Sequence, residues 1–179
     1  MGQFNGLLRA EFRPPKNWHL TKTLTYTTDD ITDNVDLWRM AVDIFRYSNK
    51  SSNLPNERLR RAIHRDNVLI NIKVNQLVIS VPPTFSTDLA SVPRPLWWLI
   101  APTDMARAAV IHDFLYSLLE CYISYTPNLT KKSKFKLRKL CDQVFYFAML
   151  DSEPEISMWK INAAYSAVRL FGWTAIEGY

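Results

Sequence analysis

Four polar residues set in apolar surroundings carry the chemistry this sequence could do. "AAVIHDFLYSLLECY" (108–122) places His112 and Asp113 side by side in an apolar helical pattern, with Tyr116 four residues after His112. "LRKLCDQVFYFAML" places Asp142 among Leu140, Val144, Phe145 and Ala148. Neither a histidine nor a carboxylate sits in such a setting without a partner, because burying an unpaired polar or charged group is costly. A helix turns about 100° per residue, so His112 and Tyr116 share a face and Asp113 points elsewhere. On an antiparallel neighbouring helix, Asp142 could accept from an imidazole N–H of His112 and from the Tyr116 hydroxyl. That is the orienting half of a base–acid pair. Asp113 would be left to offer its carboxylate oxygens to a hard cation. The same residues could equally form a buried polar network that does no more than fix two helices together.

The elements that must position these groups follow from the patterning. Residues 104–122, 131–151 and 155–172 read as helices, broken at Pro127 and Pro154. The Thr-rich "WHLTKTLTYTT" (18–28) reads as a strand, and "VLINIKVNQLVISVPP" (68–83) as a hairpin or bent strand turning at Asn75 and Gln76. Between them, 29–66 reads as an insertion. Its residues 35–47 form a short amphipathic helix with Leu37, Met40, Ala41, Ile44 and Phe45 on one face. Residues 1–17 read as an N-terminal arm, 18–83 as the β element and 84–179 as a helical part, all one domain. The expected fold class is α+β and helix-dominated. A small N-terminal antiparallel β element packs on a C-terminal three-helix region.

Composition narrows the functions. The chain is 179 residues long and 47% hydrophobic, enough for a core. Its glycines are Gly2, Gly6, Gly172 and Gly178, so a Gly-rich phosphate loop cannot be built in the interior. Cys121 and Cys141 are too few for a disulfide framework or a cysteine-rich zinc site. Cys121 lies nine residues from His112, half a turn out of phase, and both thiols are expected to be free. "MGQFNGLLRAEF" lacks the basic and apolar regions of a signal peptide and the Ser/Thr of a myristoylation signal, and "LWWLIAP" is too short to span a bilayer. The net charge of +5 permits anionic partners without naming one. "KKSKFKLRK" (131–139) reads as the solvated start of a helix rather than a nucleic-acid contact, with Phe135, Phe145, Tyr146 and Phe147 at core spacing. Trp97 and Trp98 read as buried or as part of a protein interface. In the last helix Met158, Ile161, Ala164, Tyr165, Val168 and Phe171 or Gly172 have core spacing.

"HDFLY" and "CDQVF" together resemble the H-D-x-x-Y and C-D-x-x-F helix pair of phospholipase A2 enzymes. The resemblance implies a phospholipase-A2-like helix pair, with His112 as general base on a water, Asp142 orienting it and Tyr116 supporting Asp142. Asp113 becomes a calcium ligand. The Gly-rich calcium loop of that superfamily is missing, and Asp88 in "STDLASVPR" could supply an oxygen instead, with Arg94 lining the same cleft. Asp88 could as well cap a helical turn, and Arg94 pair with a carboxylate. A second resemblance spans about residues 68–172. "VPPTFSTDLASVPRPLWW", "ARAAVIHDFLY", "CDQVFYFAM" and "AAYSAVRLFG" look like an uncharacterised family of bacteriophages and prophages, although Thr84 stands where that family often has Gly.

The function expected from these resemblances is that of a phage-encoded, virion- or tail-associated structural protein on a phospholipase-A2-like scaffold. Its partners are other virion proteins, and its location is the host cytoplasm during synthesis and then the virion. The alternative is a calcium-assisted lipid or ester hydrolase using the His–Asp site during phage entry, with membrane lipid as partner. Whether the chain is an enzyme stays open, and no specific nucleic-acid binding is expected.

Overall fold

Alternation in two strands lays down the face on which the helices pack. In β4 (Leu24–Thr28), Leu24, Tyr26 and Thr28 are buried, while Thr25 and Thr27 are half-buried. In β6 (Gln76–Val81), Leu77, Ile79 and Val81 are buried. The two strands pair antiparallel with Leu24 opposite Val81, Tyr26 opposite Ile79 and Thr28 opposite Leu77, so the buried side chains share one face. This computed structural model describes residues 2–13, 17–31, 34–48, 70–73, 76–83, 85–87 and 105–172.

β1 (Gln3–Phe4) and β5 (Ile70–Lys73) complete a four-stranded sheet in the order β1-β4-β6-β5. A smaller sheet has the order β2-β3-β7, from Ala10–Arg13, Asn17–Leu20 and Ser86–Thr87. The single strand expected over 18–28 is therefore two strands in different sheets. Thr21–Thr23 breaks it: Leu20 N–H donates to Phe85 O at 3.0 Å and Thr21 N–H to Arg9 O at 2.9 Å, which turns the chain from one sheet into the other. Residues 1–17 are likewise more than an arm. β1 pairs with β4 and β2 with β3, and Arg107 reaches back to donate to Gly6 O at 3.3 Å and lies over the Phe4 ring.

The helices are α1 (Asn34–Ser48), α2 (Ala106–Tyr125), α3 (Lys131–Leu150) and α4 (Met158–Phe171) among the described residues. α1 buries Leu37, Met40, Ala41 and Ile44 as its spacing requires, the Phe45 side chain lying outside what the structure describes, and packs on α2, α3 and β5. α2 is the central helix. Its buried residues run from Ala108 to Cys121 on nearly all sides, and it touches α1, α3, β6 and β7. α3 starts at Thr130, whose hydroxyl oxygen accepts from Ser133 N–H at 3.1 Å. It is fixed at its far end by Asp151, which accepts from the buried Tyr26 hydroxyl at 2.6 Å. Burial drives the Tyr26 phenol's pKa upward, and the Asp151 charge adds to that. No helix among the described residues is long and apolar enough to cross a membrane.

This is an α+β, helix-dominated fold with its antiparallel sheets at the N-terminal side. Core spacing misplaces Met158 and Phe135, and of Phe171 or Gly172 it is Gly172 that faces Tyr116. Met158 and Phe171 lie at the exposed ends of α4, and Phe135 is 55% exposed, with the Arg138 and Arg169 guanidinium groups over its ring. Ile161, Ala164 and Val168 form the buried stripe of α4.

Candidate functional site

α2 presents His112 and Tyr116 one turn apart, and α3 presents Asp142 opposite them. His112 Nε2 lies 3.0 Å from Asp142 Oδ1, and the Tyr116 hydroxyl donates to the same oxygen at 2.7 Å. The second carboxylate oxygen accepts from Arg169 Nη1 of α4 at 2.6 Å. Asp142 is fully buried and His112 is 3% exposed. The imidazole is held between two rings, with centroid distances of 4.2 Å to Tyr116 and 4.8 Å to Phe145. Three helices thus meet on one carboxylate.

The electrostatics follow from that meeting. Burial alone pushes the Asp142 carboxyl upward. The hydrogen bond and charge of His112, with the bonds from Tyr116 and Arg169, outweigh burial and hold the carboxyl below its ordinary range. Tyr116 is driven the other way, by burial first and by the Asp142 charge second, so it stays a protonated donor. Cys141 is pushed well up by burial and by Asp142, which makes it a poor nucleophile. Cys121 and Cys141 are both buried and unbridged.

An ionised Asp142 only accepts hydrogen bonds, so it fixes a proton on His112 Nε2. Nδ1 is buried and has no hydrogen-bond partner among the described residues. A saturated polar network leaves no such atom.

Asp113 is not part of this cluster. It is half-buried on another face of α2 and accepts from the Thr87 hydroxyl of β7. Asp88, Arg94, Trp97 and Trp98 lie outside the described residues. Among the described residues no group of three or more His, Cys, Asp or Glu side chains gathers to hold a metal. Asp113 and Asp88 are the positions from which calcium ligation would have to be built.

Arg169 was not among the expected site residues. A signal for it exists. A buried carboxylate calls for a cation, and Lys160 and Arg169 are the cations of α4. Gly172 caps α4 and has a steric reason to be glycine. A Cβ there would fall 2.5 Å from the Tyr116 hydroxyl oxygen, so the end of α4 closes directly on the site.

No curated protein and no solved structure matches the chain. One family model does, over residues 66–168, a span that holds β5–β7, α2, α3 and most of α4, with His112, Asp113, Tyr116 and Asp142 inside it. The chain belongs to this family, described as proteins of unknown function (DUF1353).

Proposed function

We propose that this is a bacteriophage virion protein, tail-associated, whose His112–Asp142 pair is a hydrolytic dyad acting on an ester, with phospholipid as the substrate class. One observation carries the chemistry: the buried imidazole gives Nε2 to a carboxylate and keeps Nδ1 without a partner among the described residues. A purely architectural network tends to satisfy its buried polar atoms. In the proposed step Nδ1 takes a proton from water. The hydroxide adds to the ester carbonyl, the acyl C–O bond breaks, and the leaving alkoxide takes the proton back from the imidazolium. Asp142 stabilises that imidazolium, and Tyr116 and Arg169 hold Asp142 in place. Calcium, as the phospholipase-A2-like sequence pair suggests, would be held by Asp113 and Asp88. The phage setting rests on the resemblance of "TDLASVPR" and "HDFLY" to phage sequences.

The test is fatty-acid release from mixed phospholipid vesicles, with calcium and with chelator, for wild type and His112→Ala. Release that falls about a hundredfold or more in His112→Ala supports the dyad. No release by a folded wild type under either condition sinks it.

A second reading is favoured by Arg169. Its bond fills the other oxygen of Asp142, so α2, α3 and α4 are tied at one buried point. On this reading the network is architectural and the protein serves virion assembly alone. Cosedimentation of the intact protein with particles, together with no fatty-acid release by the folded wild type, would favour it.

A further inference from the structure

We propose that the β2–β3 hairpin is a docking finger that seats the protein on an anionic lipid bilayer. It rests on the hydrolase reading for its purpose, since a lipid hydrolase must reach a membrane, but the docking itself does not require catalysis.

The hairpin has two distinct faces. Cross-strand pairs place Ala10 opposite Leu20 and Phe12 opposite Trp18 on one face, and Glu11 opposite His19 on the other. Leu20 is buried in the core. One pair further out, the same face leaves the core: Phe12 is 48% exposed, Trp18 is 37% exposed, and their rings sit 5.2 Å apart. Leu7, on the segment leading in, is 81% exposed. An apolar face that overhangs its own core in this way covers nothing within the described fold.

Charge selects the partner. Residues 7–23 carry four cations (Arg9, Arg13, Lys16 and Lys22) against one acid, Glu11, and that acid is bound by Arg13 at 3.1 Å. Arg9, Arg13 and Lys22 are exposed. Tryptophan and phenylalanine flanked by arginine and lysine is the composition that favours the headgroup region of an anionic bilayer, where rings enter the interface and cations meet lipid phosphates. The exposed Met158 and Trp159 on α4 follow Glu153 and Glu155, a local charge that such a surface repels.

Position links the finger to the site. Trp18 pairs with Thr87 across β3 and β7, and Thr87 donates to Asp113, the neighbour of His112. A bilayer held at Phe12 and Trp18 is thus one strand and one hydrogen bond from Asp113, the chain neighbour of His112 on another face of α2.

The experiment is flotation of the full-length protein with phosphatidylcholine vesicles, with and without phosphatidylglycerol, at low and moderate salt. Wild type is expected to float with the anionic vesicles, less so as salt rises, and much less with phosphatidylcholine alone. Phe12→Ser/Trp18→Ser is expected to lower partitioning about tenfold, and Arg9→Gln/Arg13→Gln/Lys22→Gln by at least as much while flattening the salt dependence. Thermal melts like that of wild type confirm that these surface variants fold. Trp18→Phe, which keeps the ring, should keep binding while losing a share of the quenching by brominated lipid, which separates insertion of this residue from contact by the other tryptophans. Failure of wild type to bind anionic vesicles overturns the proposal, as does a Phe12/Trp18 double variant that binds like wild type. Hairpin variants that keep vesicle binding but lose association with particles also overturn it, in favour of a protein partner. His112→Ala should bind as wild type does. A protein that docks but releases no fatty acid therefore refutes the dyad and leaves the finger standing.

Discussion

Replacing Asp142 with asparagine removes one charge and almost no volume, so it isolates what the carboxylate does. The amide oxygen can still accept from His112 and Tyr116, which share Oδ1 in the native protein. The amide nitrogen then faces Arg169 Nη1, donor against donor, where a carboxylate oxygen stood at 2.6 Å. Removing one partner of a buried ion pair costs about 3–5 kcal/mol, and the Arg169 side chain is 20% exposed and can recover some hydration, so the expected loss is about 2–4 kcal/mol. With a urea dependence of about 2 kcal/mol per molar, the unfolding midpoint should fall by about 1–2 M. Removing the stranded cation as well, in Asp142→Asn/Arg169→Met, should return part of the loss, with a coupling of about 1–3 kcal/mol. Acid gives an independent reading. The folded carboxyl lies below its unfolded value, so its contribution is complete above the ordinary carboxylate range and disappears as pH falls through the folded value. Wild-type stability should decline between about pH 5 and pH 3 more steeply than that of Asp142→Asn. A midpoint shift below about 0.3 M, or parallel acid profiles for the two proteins, would refute the assignment of Asp142 as the ionised centre of the network.

Two other substitutions test the surroundings. Gly172→Ala sets a methyl group against both the Tyr116 hydroxyl and the Val168 carbonyl oxygen and should cost about 1–3 kcal/mol in urea unfolding, with only the Tyr116 share recovered when Tyr116→Phe is added. Tyr26→Phe strands Asp151 at the end of α3 and should cost about 1–3 kcal/mol, read as a lower melting temperature with the circular dichroism spectrum unchanged.

Much of the site is legible in the sequence because buried polar residues must be accounted for. Asp142 interrupts an apolar helical pattern, and the helices that carry it and His112 are bounded by Pro127 and Pro154, so an antiparallel pair with the two residues facing each other follows from spacing alone. Arg169 escaped because its own pattern is ambiguous. It follows the buried Val168 and precedes the 65% exposed Leu170, at the edge of the apolar stripe, where an arginine reads as solvated. The split of 18–28 into two strands escaped for a different reason. Leu20 and Leu24 are both buried, so the alternation continues through the break, and side-chain periodicity carries no information about a backbone bend. Phe135 was misplaced because the helical period gives the face of a helix but not whether a neighbour covers it there.

The two readings of the network make opposite demands on α4. If the cluster only holds helices together, Arg169 contributes by joining α4 to α3, and loosening it costs stability and nothing else. If His112 is a base, Arg169 also sets the charge beside it. With Arg169 in place the Asp142 carboxylate is shared between a guanidinium and an imidazole. Without it, Asp142 loses one of the bonds that hold its carboxyl low, so the group that orients His112 stays ionised over a narrower range of pH. An Arg169→Met protein that remains folded would therefore show its activity shifted to higher pH on the catalytic reading. On the architectural reading the same substitution would lower the melting temperature and make stability less steeply dependent on acid, with no activity profile to shift. α4 thus stands outside the base–acid pair in sequence and inside it in electrostatics, and the pH dependence of one folded variant separates the two functions.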